Sequence, residues 1–155
     1  MALTYSCLFP NAAPNLEKVV EYVLANTPWL VDEVEQEEKA IHLLFQNELI
    51  LSITPIFSSG SRELVTGCYA YDTYWSIRYG KLSTSEADEA YVIILSYLVE
   101  NYNDNFLSLF NGEQIILYKE SGHVYLNKLC GLWNSQELLS FFGAADYEFA
   151  DYVVV

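Results

Sequence analysis

The chain has 155 residues, 52% of them hydrophobic, and 21 Asp and Glu stand against 7 Lys and Arg for a formal charge of −14. That apolar content excludes intrinsic disorder, and the length is sufficient for a core that needs no staples, so the acid must decorate a folded surface. A field of this sign attracts basic partners and argues against nucleic acid or anionic membrane as ligand.

Residues 4–9 read as a strand, closed by Pro10 and Pro14. Asn15 then caps a helix whose Leu16, Val19, Val20, Val23 and Leu24 recur at helical spacing on one buried face. Asn26-Thr27-Pro28 stops it. Three strands are expected next, over 29–34, 40–45 and 48–53, with Gln46-Asn47 as a hairpin-sized link between the last two. Pro55 and Ser58-Ser59-Gly60-Ser61 interrupt the pattern before a tyrosine-rich extended segment over 68–79.

A second helix follows, capped by Ser83 or Ser85. Its apolar stripe is Ala87, Ala90, Tyr91, Ile94, Leu95 and Leu98, and its acidic first turn suits the helix dipole. Residues 106–110 and 113–118 form a hairpin about Asn111-Gly112, the pair that type I′ turns favour, and 123–127 add a third strand of a meander. Asn134 with Glu137 reads as a capping box for a short helix ending near Phe142. The tail, 146–155, is either an edge strand or loose. Hairpins and meanders interrupted by helices, without βαβ alternation, predict an α+β fold. It would be a single domain over 1–155, a mainly antiparallel sheet packed with two main helices and a short C-terminal helix.

Cys7, Cys68 and Cys130 are odd in number and far apart, so reduced, buried thiols are expected and neither a disulfide framework nor a zinc site is indicated. The N-terminal residues lack the basic and apolar regions of a signal peptide, which predicts a cytoplasmic protein. Asn101, Asn103, Asn105 and Glu113 imitate a calcium loop. The glutamate falls one place late, however, and Phe106 stands where the sharp turn requires glycine, so no metal is expected. His42 and His123 both fall within strand patterns, and no nucleophile elbow, zinc-protease or phosphate-loop motif occurs, so no catalytic residues and no cofactor are assigned.

Two constellations point to a protein partner. The acids Asp32, Glu33, Glu35, Glu37 and Glu38 read either as a solvated turn between two strands or as a patch that steers a basic partner. The run Tyr69, Tyr71, Tyr74, Trp75 and Tyr79 about Asp72 and Arg78 has the composition of interface hot spots. Strand alternation puts Trp75, Ile77 and Tyr79 on one face, as core. Tyr74, Ser76 and Arg78 fall on the other, with Tyr74 and Arg78 the better interface candidates. The partner-binding set is therefore Glu33, Glu35, Glu37, Glu38, Tyr71, Asp72, Tyr74 and Arg78.

The last third carries Phe106-Leu107-Ser108-Leu109-Phe110-Asn111-Gly112-Glu113, then Ile116-Leu117-Tyr118-Lys119, Val124-Tyr125-Leu126-Asn127 and Trp133. In these residues the chain resembles small acidic immunity proteins of bacterial polymorphic or contact-dependent toxin systems. It departs from them at Lys119, where arginine is expected, and at Asn103-Asp104-Asn105, where that family has a glycine-rich turn. The resemblance implies a non-enzymatic cytoplasmic antitoxin that neutralises a cognate toxin, a basic protein, by direct binding and without a cofactor. Two other readings remain open at this stage: a DNA mimic that inhibits nucleic-acid enzymes, and a small ligand-binding domain or enzyme.

Overall fold

A computed structural model describes residues 3–27, 31–45, 50–64, 67–80, 84–143 and 145–151. In chain order the elements are β1 (Leu3–Phe9), α1 (Leu16–Asn26), β2 (Val31–Gln36), β3 (Ile41–Phe45), β4 (Ile50–Ile56), β5 (Gly60–Leu64), β6 (Gly67–Tyr71) and β7 (Thr73–Gly80). Then come α2 (Thr84–Asn101), β8 (Phe106–Phe110), β9 (Gln114–Glu120), β10 (His123–Asn127), a 3₁₀ turn (Gly131–Asn134), α3 (Gln136–Ser140) and β11 (Tyr147–Ala150).

Nine of the strands form one sheet in the order β11-β10-β9-β8-β1-β7-β4-β3-β2, while β5 and β6 pair separately. Every pairing is antiparallel except β10 with β11. The fold is thus α+β, as the sequence predicts. One face of the sheet takes the helices, and the residues that strand alternation directs to that face, Tyr5, Cys7, Phe9, Trp75, Ile77 and Tyr79 among them, are buried against α1 and α2. On the opposite face the β5–β6 ribbon covers only the middle, where Tyr69 packs with Leu8, Leu107, Leu109, Ile115 and Tyr118. The ribbon is pinned through its central cross-strand pair: the Tyr69 hydroxyl donates to the Leu8 carbonyl at 2.7 Å, and its partner Arg62 donates to the Glu113 carbonyl at 2.9 Å.

Helix α1 begins where expected, with the Asn15 side chain accepting from the Lys18 amide, and Val19, Val20 and Val23 are buried. Leu24, expected on the same face, is 39% exposed at the margin of the stripe. Helix α2 is apolar almost all round, for Val92, Ile93, Ser96 and Val99 are buried besides the predicted stripe. A helix packed on both the sheet and α1 has little surface left for water. Ser85 lies inside this helix and does not cap it; Ser83, Trp29, Gln46-Asn47 and the end of the tail lie outside the described residues.

Strand β2 ends later than predicted, and the predicted start at 29–30 lies outside the described residues; Glu33 and Glu35 stand on the edge strand of the sheet and only Glu37 and Glu38 belong to the turn. Strand β4 continues through Pro55 to Ile56, although proline was expected to end it. The β3 partner stops opposite Ile53, so the missing N–H of Pro55 falls where β4 has β7 as its only neighbour. The predicted extended segment is divided at Asp72, whose amide donates to the Phe9 carbonyl at 2.9 Å, and β5 was not foreseen. Short helix α3 is capped by Ser135, which accepts from the Leu138 amide. Asn134 belongs to the 3₁₀ turn before it. In the tail, β11 adds the parallel edge strand. Cys7 and Cys130 are buried, with burial pushing the Cys7 thiol up to about 12, whereas Cys68 is exposed on β6, where the ribbon shows one side to water.

Residues of the segment 106–133 stitch the fold together. Asn111 and Gly112 both have positive φ (51° and 72°), as do Ser121 and Gly122 (51° and 81°), the backbone of type I′ hairpin turns. Asn127 donates to the Ile115 carbonyl at 2.6 Å, and the Trp133 indole donates to the Ile116 carbonyl at 3.0 Å. Lys119 is buried with its ammonium on the carbonyls of Val99 and Tyr102, at 3.1 and 2.5 Å, so β9 supplies the cation that the C-terminus of α2 lacks in its own sequence.

Two predictions follow from this packing. Lys119→Met keeps the apolar stem but strands the two carbonyls, and is expected to cost about 1–3 kcal/mol in chemical denaturation. Asp88 on α2 accepts from the Tyr5 hydroxyl, and burial holds its carboxyl above the ordinary value of 3.8 against the opposing pull of the Tyr5 and Tyr79 hydroxyls. The folded state therefore binds this proton more tightly than the unfolded state, so stability falls as pH rises from about 4 through the raised value. Asp88→Asn removes that loss: its thermal midpoint should exceed the parent's at pH 7, and the two should converge below about pH 4.

Candidate functional site

The loop after β4 presents Phe57, which is 84% exposed, the largest such exposure of a large hydrophobic residue among those described. Two clefts flank this ring. The larger, of about 740 Å³, runs between the start of α1, the β2–β3 turn and the end of β4, and its apolar floor includes Leu16, Ile41, Pro55 and Ile56. The smaller, of about 460 Å³, lies against Ala13, Pro14, Thr73, Tyr74 and Trp75. Leu16, Pro55 and Phe57 line both, so the clefts form one apolar surface at this end of the sheet.

Acid surrounds that surface. Glu17 in the first turn of α1 and Glu37 and Glu38 in the β2–β3 turn line the larger cleft, where Lys39 is the one basic neighbour. The turn is closed by the Glu37 amide donating to the Ala40 carbonyl at 2.8 Å, which fixes where the glutamates emerge. Asp72 is exposed at the bend between β6 and β7, on the same end of the sheet.

The sheet face left open beyond the ribbon continues this surface. Register places Glu35, His42, Ser52, Arg78 and Thr4 in one row across β2, β3, β4, β7 and β1, on the side away from the helices. Glu33 lies on the same side of β2, next to the row. Within the row His42 is held from both sides: Nδ1 lies 2.7 Å from the Ser52 hydroxyl, and Nε2 lies 3.4 Å from the Glu37 carboxylate. His42 therefore serves as a structural post beneath the acidic turn. His123 is exposed at the start of β10, its ring 6.4 Å from Tyr125.

The eight sequence-predicted residues are thus divided. Glu33, Glu35 and Arg78 lie on the open face, Tyr74 is half-buried at the edge of the cluster beneath the ribbon, where it lines the smaller cleft, Glu37 and Glu38 are on the rim of the larger cleft, and Asp72 is at the adjoining bend. Trp75, Ile77 and Tyr79 are core, at 1%, 0% and 5% exposure. Tyr71 is set apart: it is half-buried at the end of β6, within the ribbon itself, edge-on to Tyr74 at 6.0 Å. A Cβ on Gly60 would come within 2.5 Å of its hydroxyl, so glycine is what lets the ring lie across β5. Sequence reasoning missed Phe57. The available signal was a lone large aromatic after a predicted strand and before Ser58-Ser59-Gly60, a place where burial is not expected.

No group of three or more metal-binding side chains occurs among the described residues, and no described helix is long and apolar enough to cross a membrane. Comparison with family models, with curated proteins and with solved structures finds no match for this chain.

The contrast between Phe57 and its neighbour Trp75 can be measured. Phe57→Ala should leave stability within about 0.5 kcal/mol of the parent, the range of surface substitutions. Trp75→Ala should cost about 3–5 kcal/mol in the same denaturation assay.

Proposed function

We propose that the protein is a non-enzymatic binding module that docks a basic protein partner on the acid-rimmed apolar surface about Phe57, as a cytoplasmic immunity protein that neutralises a cognate toxin. The observation that carries this reading is the position of Phe57. A ring so exposed beside apolar clefts, within a rim of carboxylates, has the anatomy of an interface whose centre excludes water and whose edge steers. The net charge of −14 supports the sign of the partner, because complementary fields raise association rates. Steering falls to Glu33, Glu35, Glu37 and Glu38, and anchoring to Phe57 and Tyr74, with Arg78 and Asp72 adding directional polar contacts. Tyr71 contributes through the ring it sets against Tyr74. The apolar centre favours a protein over the alternative of a DNA mimic, whose acids would run along one face without an aromatic interruption.

Tagged protein should recover from its native lysate one stoichiometric partner that is toxic when expressed alone and harmless in the complex. With that partner, replacing Glu33, Glu35, Glu37 and Glu38 by lysine is expected to slow association about tenfold or more and to flatten its dependence on salt. Phe57→Ala and Tyr74→Ala should act instead on dissociation, speeding it by about tenfold each. An unchanged association rate in the charge-reversed variant would remove the steering role, and recovery of many nucleic-acid enzymes together would replace this reading with the DNA mimic.

A further inference from the structure

At the opposite end of the sheet the rings of Tyr5, Tyr79 and Phe110 wall a cavity of about 300 Å³, with Asp88 at one side and Gln114 and Cys130 among the other lining groups. It adjoins a cleft of about 450 Å³ that shares Asp88, Gly131 and Leu132 and carries Glu89, Glu137 and Ser135. The walls are set by the core. Tyr5 stacks on the fully buried Tyr91, ring centres 3.8 Å apart and planes within 6°, and lies 5.4 Å from Tyr79 and 5.2 Å from Phe110. The Tyr79 hydroxyl donates to the Tyr5 oxygen at 3.4 Å, and the Tyr5 hydroxyl donates to Asp88, so a chain of hydroxyls ends on the carboxylate.

Among the described residues no cation forms an ion pair with Asp88, Glu89 or Glu137. A half-buried carboxylate helped only by phenols has lost hydration without gaining an opposite charge. Burial indeed raises the carboxyls of both Asp88 and Glu89, and for Glu89 the nearby Glu137 and Glu86 add to it. Aromatic faces attract cations, carboxylates pair with them, and both groups repel anions.

We infer that this cavity is a binding site for an organic monocation, an alkyl guanidinium or ammonium, lodged against the lining of Tyr5, Tyr79 and Phe110 with its charged head on Asp88. Guanidinium fits best, because a planar fork pairs with a carboxylate while its face lies on a ring. The head group comes either from a free small amine or guanidine or from a basic side chain of another protein. The site is at the other end of the sheet from Phe57 and does not depend on the docking role proposed there.

The test is calorimetric and NMR titration of the full chain with n-butylguanidinium, n-butylammonium, uncharged n-butylurea and a capped Gly-Arg-Gly peptide. Saturable one-to-one binding of the cations, with a Kd below about 1 mM and at least tenfold tighter than the urea, is expected. Resonance shifts should centre on Tyr5, Asp88 and Phe110. Asp88→Asn should weaken the cations at least tenfold with near-UV circular dichroism unchanged. Gly131→Phe is a second variant, since a Cβ there meets nothing within 4 Å, and should block entry. Tighter binding of the peptide assigns the site to a protein side chain, and tighter binding of the free cation assigns it to a small molecule. Equal binding of the urea, unchanged affinity in Asp88→Asn, or no saturable binding overturns the proposal. The fourfold glutamate-to-lysine variant separates it from the docking surface, because cation binding should survive that change.

Discussion

The structure depends on β1 being paired on both sides. To one side β7 leads on to β4, β3 and β2, and to the other β8 leads on to β9, β10 and β11, so among the described residues the sheet pairing of two four-stranded halves runs through this strand. Its side chains join the layers as well: Tyr5 stacks on Tyr91 of α2, Cys7 lies 3.2 Å from the Tyr91 hydroxyl, and Phe9 meets Trp75 and Tyr102 edge-on. Leu8 faces the other way, into the cluster beneath the ribbon. Within a short strand the chain thus fixes the middle of the sheet, the seat of the long helix and the anchor of the β5–β6 hairpin.

That arrangement leaves two ends with different chemistry. Where β1 finishes, turns and loops expose an aromatic ring over apolar clefts and ring it with glutamates. Where β1 starts, its own Tyr5 becomes the wall of a smaller cavity closed by α2 and the 3₁₀ turn. Both places are electronegative, yet one is a broad surface and the other a hole. The same excess charge therefore acts on two kinds of ligand geometry, which a total charge alone does not distinguish.

Local signals in the sequence accounted for the elements whose partners are close along the chain. The valine stripe of α1, the Asn111-Gly112 turn and the β10 strand follow from periodicity and turn chemistry that need no knowledge of the rest. Where long-range contacts decide, the reading failed. Strand β5 has no alternation of its own and exists because Tyr71 lies over Gly60 and Arg62 reaches Glu113. Strand β4 outlasts Pro55 because its other neighbour has already ended. The candidate docking surface was half legible: the acids and Tyr74 stand out by composition, while Phe57 matters only because of the clefts beside it. The Asp88 cavity was not legible at all, since the residues joined there, Tyr5 and Asp88, are 83 apart in sequence.

The place of β1 also has a consequence for the order of events during synthesis. The Thr4 amide is satisfied by Asn111, 107 residues further on, so β1 is made long before this partner emerges. At about 5–20 residues per second that interval lasts about 5–20 seconds, during which one edge of β1 offers unpaired backbone to any other strand. Pairings of such sequence separation also place the chain among slow folders. A half-sheet of β1, β7, β4, β3 and β2 formed before β8 emerges is open along the β1 edge, and there a high negative charge opposes edge-to-edge pairing between copies by self-repulsion.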